Sequence, residues 1–169
     1  MNEERQGAEE AEGLLESLVG FDSLPIKPEE VAEELNDKNF ELIYEKQPFN
    51  SEKLLGKAIG NTRKAIIYIN QNIEDRGRSN FTAAHEIGHV CLHIMPGDYE
   101  EFSCGTQQLY NPYNDPVEKQ ANGFASGLLM PRVLLKEISD GDINWQNIDR
   151  IKKTCLASYE ATFRRMISL

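Results

Sequence analysis

An α+β domain is what this sequence predicts, on three observations. Two runs rich in β-branched and aromatic residues, FELIY at 40–44 and AIIYIN at 65–70, read as strands. Five segments after residue 79 read as helices, the first opened by the capping residue Asn80 and the next two by Pro116 and Pro131. Mixed strands and helices thus come first and helices follow, which is the order of an α+β fold.

Taken in order, residues 1–13 (MNEERQGAEEAEG) are charge-rich and are expected to form a disordered lead. Residues 14–169 are expected to form a single domain, with 130–169 as its helical tail. A short helix runs from Leu14 to Val19, and Pro25 and Pro28 open a second in which Val31, Ala32 and Leu35 share one face. Gly56 and Gly60 place the link between the two strands in a loop, and QNIEDRGRS (71–79) reads as a polar turn. FTAAHEIGHVCLHIM is a helix from about Asn80, its N-cap, to Met95, closed by Pro96-Gly97. A short strand is expected at Glu101–Cys104 within an otherwise irregular stretch. A strong helix spans about Pro116 to Met130, with Val117, Ala121, Phe124, Ala125 and Leu128 on one side. Shorter helices follow from Pro131 to Ile138, Trp145 to Thr154 and Ser158 to Ile167, with Trp145 expected in the core.

Composition narrows the function classes. The chain of 169 residues is 40% hydrophobic, enough for one core. No apolar run approaches the roughly 18 residues of a membrane span. The N-terminus is acidic where a secretory leader is basic and then apolar. Cys91, Cys104 and Cys155 have no paired spacing, so a disulfide framework is not expected and the cytoplasm is. A net charge of −10 repels phosphate backbones, which argues against direct nucleic-acid binding and suits a basic partner. The local pairs Arg76/Arg78 and Arg164/Arg165 read as solvated surface.

The chemistry lies in the histidines. The chain has three, His85, His89 and His93, all within nine residues. His85 and His89 are four apart on a helix, so both imidazoles leave the same face and can share one zinc ion (Zn2+). Glu86 follows His85, completing the HExxH pattern of a metallopeptidase helix. Glu86 lies too far round the helix to ligate and instead serves as general base, taking a proton from water as it attacks a carbonyl. This predicts a small zincin-like metallopeptidase domain, with a short β-sheet, the HExxH helix and a helical C-terminal part. A catalytic zinc needs a third protein ligand. His93 is near, but eight residues of continuous helix separate it from His85 by about 12 Å, which suits a packing role or one behind the ligands. Glu118, on the second strong helix with Ala121 and Ala125 beyond it, is the alternative. Asp115 and Asn122 compete, although Asp115 suits the helix cap and a neutral Asn122 is a poor ligand.

FTAAHEIGHVCLH followed by EKQANGFASGLLMP resembles the ImmA/IrrE family of zinc metallopeptidases, whose members pair F-T-x-A-H-E-x-G-H with a later E-x-x-A-x-x-F-A-x-x-L-L-M-P. The tail CLASYEATFRRM also resembles the family, through Ser158, Ala161 and Arg164. Ser126 and Gly127 depart from the Ala or Glu common there. The resemblance implies His85, His89 and Glu118 as ligands and Glu86 as general base. It also implies a protein substrate, a helix-turn-helix repressor whose cleavage relieves repression. Because AIIYIN leads through a polar turn into the metal helix, a sheet edge is expected beside the metal to hold an extended peptide. Tyr99, Tyr110, Tyr113 and Arg132 are the candidates for stabilising an oxyanion, though each also suits a structural role. Two other readings remain: a zinc-braced module that docks to a repressor without cutting it, and a zinc hydrolase of non-peptide substrates.

Overall fold

The computed structural model describes residues 2–106, 109 and 115–169. The elements are α1 (Glu3–Ser17), α2 (Pro28–Glu34), β1 (Glu41–Gln47), β2 (Leu54–Gly60), β3 (Lys64–Asn70) and α3 (Arg76–His89). A π-helical turn (Val90–Ile94) extends α3 and is followed by β4 (Glu101–Gly105), α4 (Pro116–Leu129), α5 (Arg132–Leu135), α6 (Trp145–Cys155) and α7 (Tyr159–Ser168). The fold is α+β, with one mixed sheet in the order β1-β3-β2-β4. β1 runs parallel to β3, whereas β2 is antiparallel to both β3 and β4.

Alternation along β3 sets the layering. Ala65, Ile67 and Ile69 are buried, while Lys64, Ile66 and Tyr68 on the opposite face keep solvent contact. The buried face meets α3, and α3 in turn packs on α4. β2 was not foreseen, because Gly56 and Gly60 look like loop residues. Both are there for close approach. A Cβ on Gly60 would lie 2.3 Å from the Lys64 carbonyl oxygen, and one on Gly56 would lie 2.9 Å from Glu86 Oε1. The hairpin from β2 to β3 is closed by Asn61, whose Oδ1 accepts from the amides of Arg63 and Lys64.

Residues 3–13, expected in a disordered lead, are helical. Asn2 caps α1 by accepting from the Arg5 amide, and Gly7, Ala8, Ala11 and Leu15 bury one stripe against α4. The stripe escapes a hydropathy reading because glycine and alanine contribute little apolar signal amid the surrounding glutamates. Its contact is backbone on backbone: a Cβ on Gly123 of α4 would stand 1.9 Å from the Glu4 carbonyl oxygen, and one on Gly7 would stand 2.0 Å from that of Gln120. Trp145 is the other surprise. It is 75% exposed at the start of α6, where its ring stands T-shaped to that of Tyr159, while Ile148 fills the core position.

The same substitution should have opposite signs at two glycines. Gly123→Ala overpacks the α1–α4 contact and should cost about 1–3 kcal/mol in urea unfolding. Gly13→Ala, in α1 with open space at its Cβ, should stabilise by about 0.5–1 kcal/mol.

Candidate metal centre

α3 begins earlier than the sequence suggests. Asp75 caps it, its Oδ1 accepting from the Arg78 amide at 2.7 Å, so residues 76–79 are helical rather than turn. Asn80, expected as the cap, donates instead to the Leu156 carbonyl and ties α3 to the end of α6. The C-terminal half of α3 is wholly interior, from Ala83 through His89. Its contact with α4 is close because Gly88 faces Phe124, where a Cβ would come within 3.0 Å, and because Ala121 and Ala125 present no bulk.

That approach brings three predicted residues together. His85 Nε2 and His89 Nε2 lie 3.0 Å apart, and Glu118 Oε2 lies 3.1 Å from the first and 3.3 Å from the second. Ligand bonds of 2.0–2.1 Å to a tetrahedral ion imply edges of about 3.3 Å between donors. The three atoms therefore match one face of such a coordination shell, and the two histidines and the glutamate could hold a metal ion.

The hydrogen bonds behind the ring decide which nitrogens are bare. Asn122 Nδ2 donates to the Leu109 carbonyl, which leaves its Oδ1 to accept from His85 Nδ1 at 2.8 Å. An imidazole whose proton is held at Nδ1 in this way presents Nε2 of His85 as a lone pair. A longer relay fixes His89. Gln120 Nε2 donates to Gln6 Oε1, so Gln120 Oε1 accepts from His93 Nε2 at 2.9 Å. His93 Nδ1 must then accept, and it does so from His89 Nδ1 at 3.0 Å. The proton of His89 is thereby held away from Nε2. Burial keeps His89 neutral, lowering its pKa to about 3. With the ring protons held at Nδ1, three acceptors face one another at this spacing with no proton between them. A cation supplies what the donor set lacks.

Glu86 lies beside the three but does not complete their ring; it groups instead with His85 and Cys104. Neither of its oxygens makes a hydrogen bond of ordinary geometry among the described residues. Burial first, then the charge of Glu118, pushes its pKa well above the usual carboxylate range, and the Cys104 thiol pulls weakly the other way. Gly56 of β2 leaves the room that the Glu86 side chain occupies. Phe102 of β4 stacks on His89, with centroids 3.7 Å apart and planes 9° apart.

Other sequence candidates fall elsewhere. His93 stands behind His89 rather than in the ring, brought there by the π-helical turn. Asp115 caps α4, accepting from the Val117 amide. Tyr99 packs against His93 and Phe102, and the Arg132 amide binds Glu12 of α1. Tyr110 and Tyr113 lie outside the described residues. AIIYIN forms β3, which is paired on both sides, and the edge strand beside the cluster is β4. The roles of Asn122, Gln120 and Gly56 were not read from the sequence; the polar positions flanking Glu118 on the small-residue helix were their only signal.

Comparison with known proteins bears on this geometry. The IrrE N-terminal-like domain, peptidase family M78, matches residues 38–166. The chain belongs to the ImmA/IrrE family. Metallopeptidase ImmA of Bacillus subtilis (strain 168) is 32% identical over 76 residues, covering 45% of this chain and 40% of that protein. The chain thus aligns with less than half the length of that curated relative. All four residues of the HExxH and Glu118 constellation fall inside the family match, whereas α1 and α2 precede it.

Removing a relay partner should loosen the metal without abolishing it. Asn122→Ala and His93→Ala should each weaken metal affinity by about 10–100-fold, the usual cost of losing a partner behind a ligand. Competition against a chromophoric chelator measures this, and an unchanged affinity in both would show that the relays do not orient the rings.

Proposed function

We propose that this protein is a zinc-dependent endopeptidase of the cytoplasm whose substrate is a helix-turn-helix transcriptional repressor. The observation that carries the reading is the ring of three bare acceptors, His85, His89 and Glu118, with the buried carboxylate of Glu86 alongside. Two imidazoles and one carboxylate form a donor set that suits zinc and leaves a fourth position open. Zinc held there supplies Lewis acidity, polarising a carbonyl and lowering the pKa of water from 15.7 to about 7. Glu86, its basicity raised by burial, takes the proton of the attacking water and returns it to the leaving amine. His93 and Asn122 keep the two rings oriented throughout. The edge of β4, carrying Phe102 beside His89, offers main-chain groups to an extended peptide.

Family membership supports a peptide substrate, and the resemblance supports a repressor. A net charge of −10 adds long-range attraction toward a basic DNA-binding protein. Among the described residues no helix is long and apolar enough to cross a membrane. One observation favours a docking module instead: His85, Glu86 and His89 have no exposed surface, so a substrate reaches them only if neighbouring groups move.

Variants separate the two readings. His85→Ala or His89→Ala should abolish stoichiometric zinc by elemental analysis, and full retention in both would sink the ligand assignment. Glu118→Ala should weaken zinc strongly. Glu86→Gln should keep zinc and lose roughly 10²–10⁴-fold in turnover. Mixed with a candidate repressor and followed by mass spectrometry, the wild type should cut within a linker while Glu86→Gln does not. Binding by both without cleavage by either, with zinc supplied, would support docking.

A further inference from the structure

A cavity of about 200 Å³ lies between α1, α4 and α7, and none of His85, Glu86, His89 or Glu118 lines it. Ser158, Ala161 and Arg164, the tail residues that carried part of the family resemblance, all do. The proposed hydrolysis uses none of them. Its walls are partly apolar, from Ala8, Phe81 and Ala161, and partly charged.

The charges do not balance locally. Arg5 pairs with Glu9 and Arg164 with Glu160, each at 2.9 Å and four residues apart. Deeper in, Glu12 serves the guanidinium of one arginine and the main chain of another. Its Oε1 pairs with the guanidinium of Arg165, a residue only 4% exposed, and also accepts from the Arg132 backbone amide at 2.8 Å. Arg165 is further held by the Met130 carbonyl. Arg132 is left over. Its Nε is buried with no hydrogen-bond partner, and no carboxylate pairs with its guanidinium among the described residues. A buried guanidinium donor without an acceptor is costly, and an anion in the adjoining space would satisfy it. This local excess of positive charge sits in a chain of net charge −10.

We propose that this cavity binds a compact molecule carrying one anionic group, a carboxylate or a phosphate, seated on Arg132. The apolar body of the ligand would lie against Ala8, Phe81 and Ala161. A volume of about 200 Å³ is below the roughly 300–1,000 Å³ of drug-sized sites, which limits the ligand to a small metabolite.

Benzoate, phenyl phosphate and the neutral benzamide are the probes, titrated into the purified, zinc-loaded chain and followed by amide NMR shifts. At least one of the anions should give saturable shifts at Gly123, Ser126 and Ala161, and the tighter of the two identifies the head group. Benzamide should not. Arg132→Gln should weaken the anion by at least about tenfold with thermal midpoint and zinc content unchanged, whereas Arg63→Gln, at an exposed position elsewhere, should bind as wild type. If Arg132→Gln does not fold, Arg132→Lys replaces it and should also weaken binding, because lysine lacks the planar fork. The proposal is overturned by unsaturable or scattered shifts, by shifts centred on His85 and His89, by equal binding of benzamide, or by wild-type affinity in the folded Arg132 variant.

Discussion

Two imidazole nitrogens and a carboxylate oxygen, all electron-pair donors, are held 3.0–3.3 Å apart in the interior of this molecule. Left to themselves they repel, and burial makes the repulsion stronger because little water screens it. Much of the surrounding architecture serves to keep them there. The i, i+4 spacing on α3 aligns the two rings, and Gly88, Ala121 and Ala125 let α4 come close enough to deliver Glu118. Donors that repel one another also gain most from a cation between them, so part of the binding energy of a metal would also be folding energy.

The environment of Glu86 follows from the same burial. A carboxylate with no solvent contact holds its proton more readily, which suits a group that must accept one and release it. Three neighbours define its place: Gly56 by having no side chain, Cys104 by its thiol, and Glu118 by its charge. β2 and β4 are adjacent, with Gly56 paired to Cys104, so one point in the sheet register positions both. A register slip there would move a side chain into Glu86.

The metal-binding face was readable because its chemistry is written in short spacings: His85 and His89 four apart, Glu86 between them, Glu118 beside a run of small residues. The helices from α3 onward were readable for the same reason, through periodicity, the Asp115 cap and the prolines at 116 and 131. What failed had causes of one kind. β2, the α1 stripe and the α1–α4 contact all rest on glycine or alanine, whose value lies in what the partner backbone can approach. A hydropathy pattern does not register that. Trp145 misled in the other direction, since its size suggests a core that Ile148 in fact supplies. The partners of the ligand rings, Asn122 and Gln120, are fixed only by tertiary structure.

Among these, the relay to His89 ends farthest from the metal and has the largest consequence for it. Gln6 belongs to α1, which precedes the family-matched span, yet its Oε1 accepts from Gln120 Nε2 at 3.2 Å. That bond is exposed and by itself is worth only about 0.5–1.5 kcal/mol. Its importance lies in coupling the two amides: with Gln6 Oε1 turned toward it, Gln120 presents Nε2 to Gln6 and Oε1 to His93. In that orientation Gln120 Oε1 accepts from His93, His93 accepts from His89, and His89 Nε2 is bare. With the amide reversed, Gln120 would donate to His93 Nε2, His93 would donate from Nδ1 to His89, and the proton of His89 would sit on Nε2, facing Glu118 and the space where an ion would bind. The backbone contact at Gly7 and Gly123 holds α1 rigidly on α4 and keeps Gln6 opposite Gln120. A helix of glycines, alanines and glutamates thereby reaches, through Gln6, Gln120 and His93, the far side of a buried histidine that could act as a ligand.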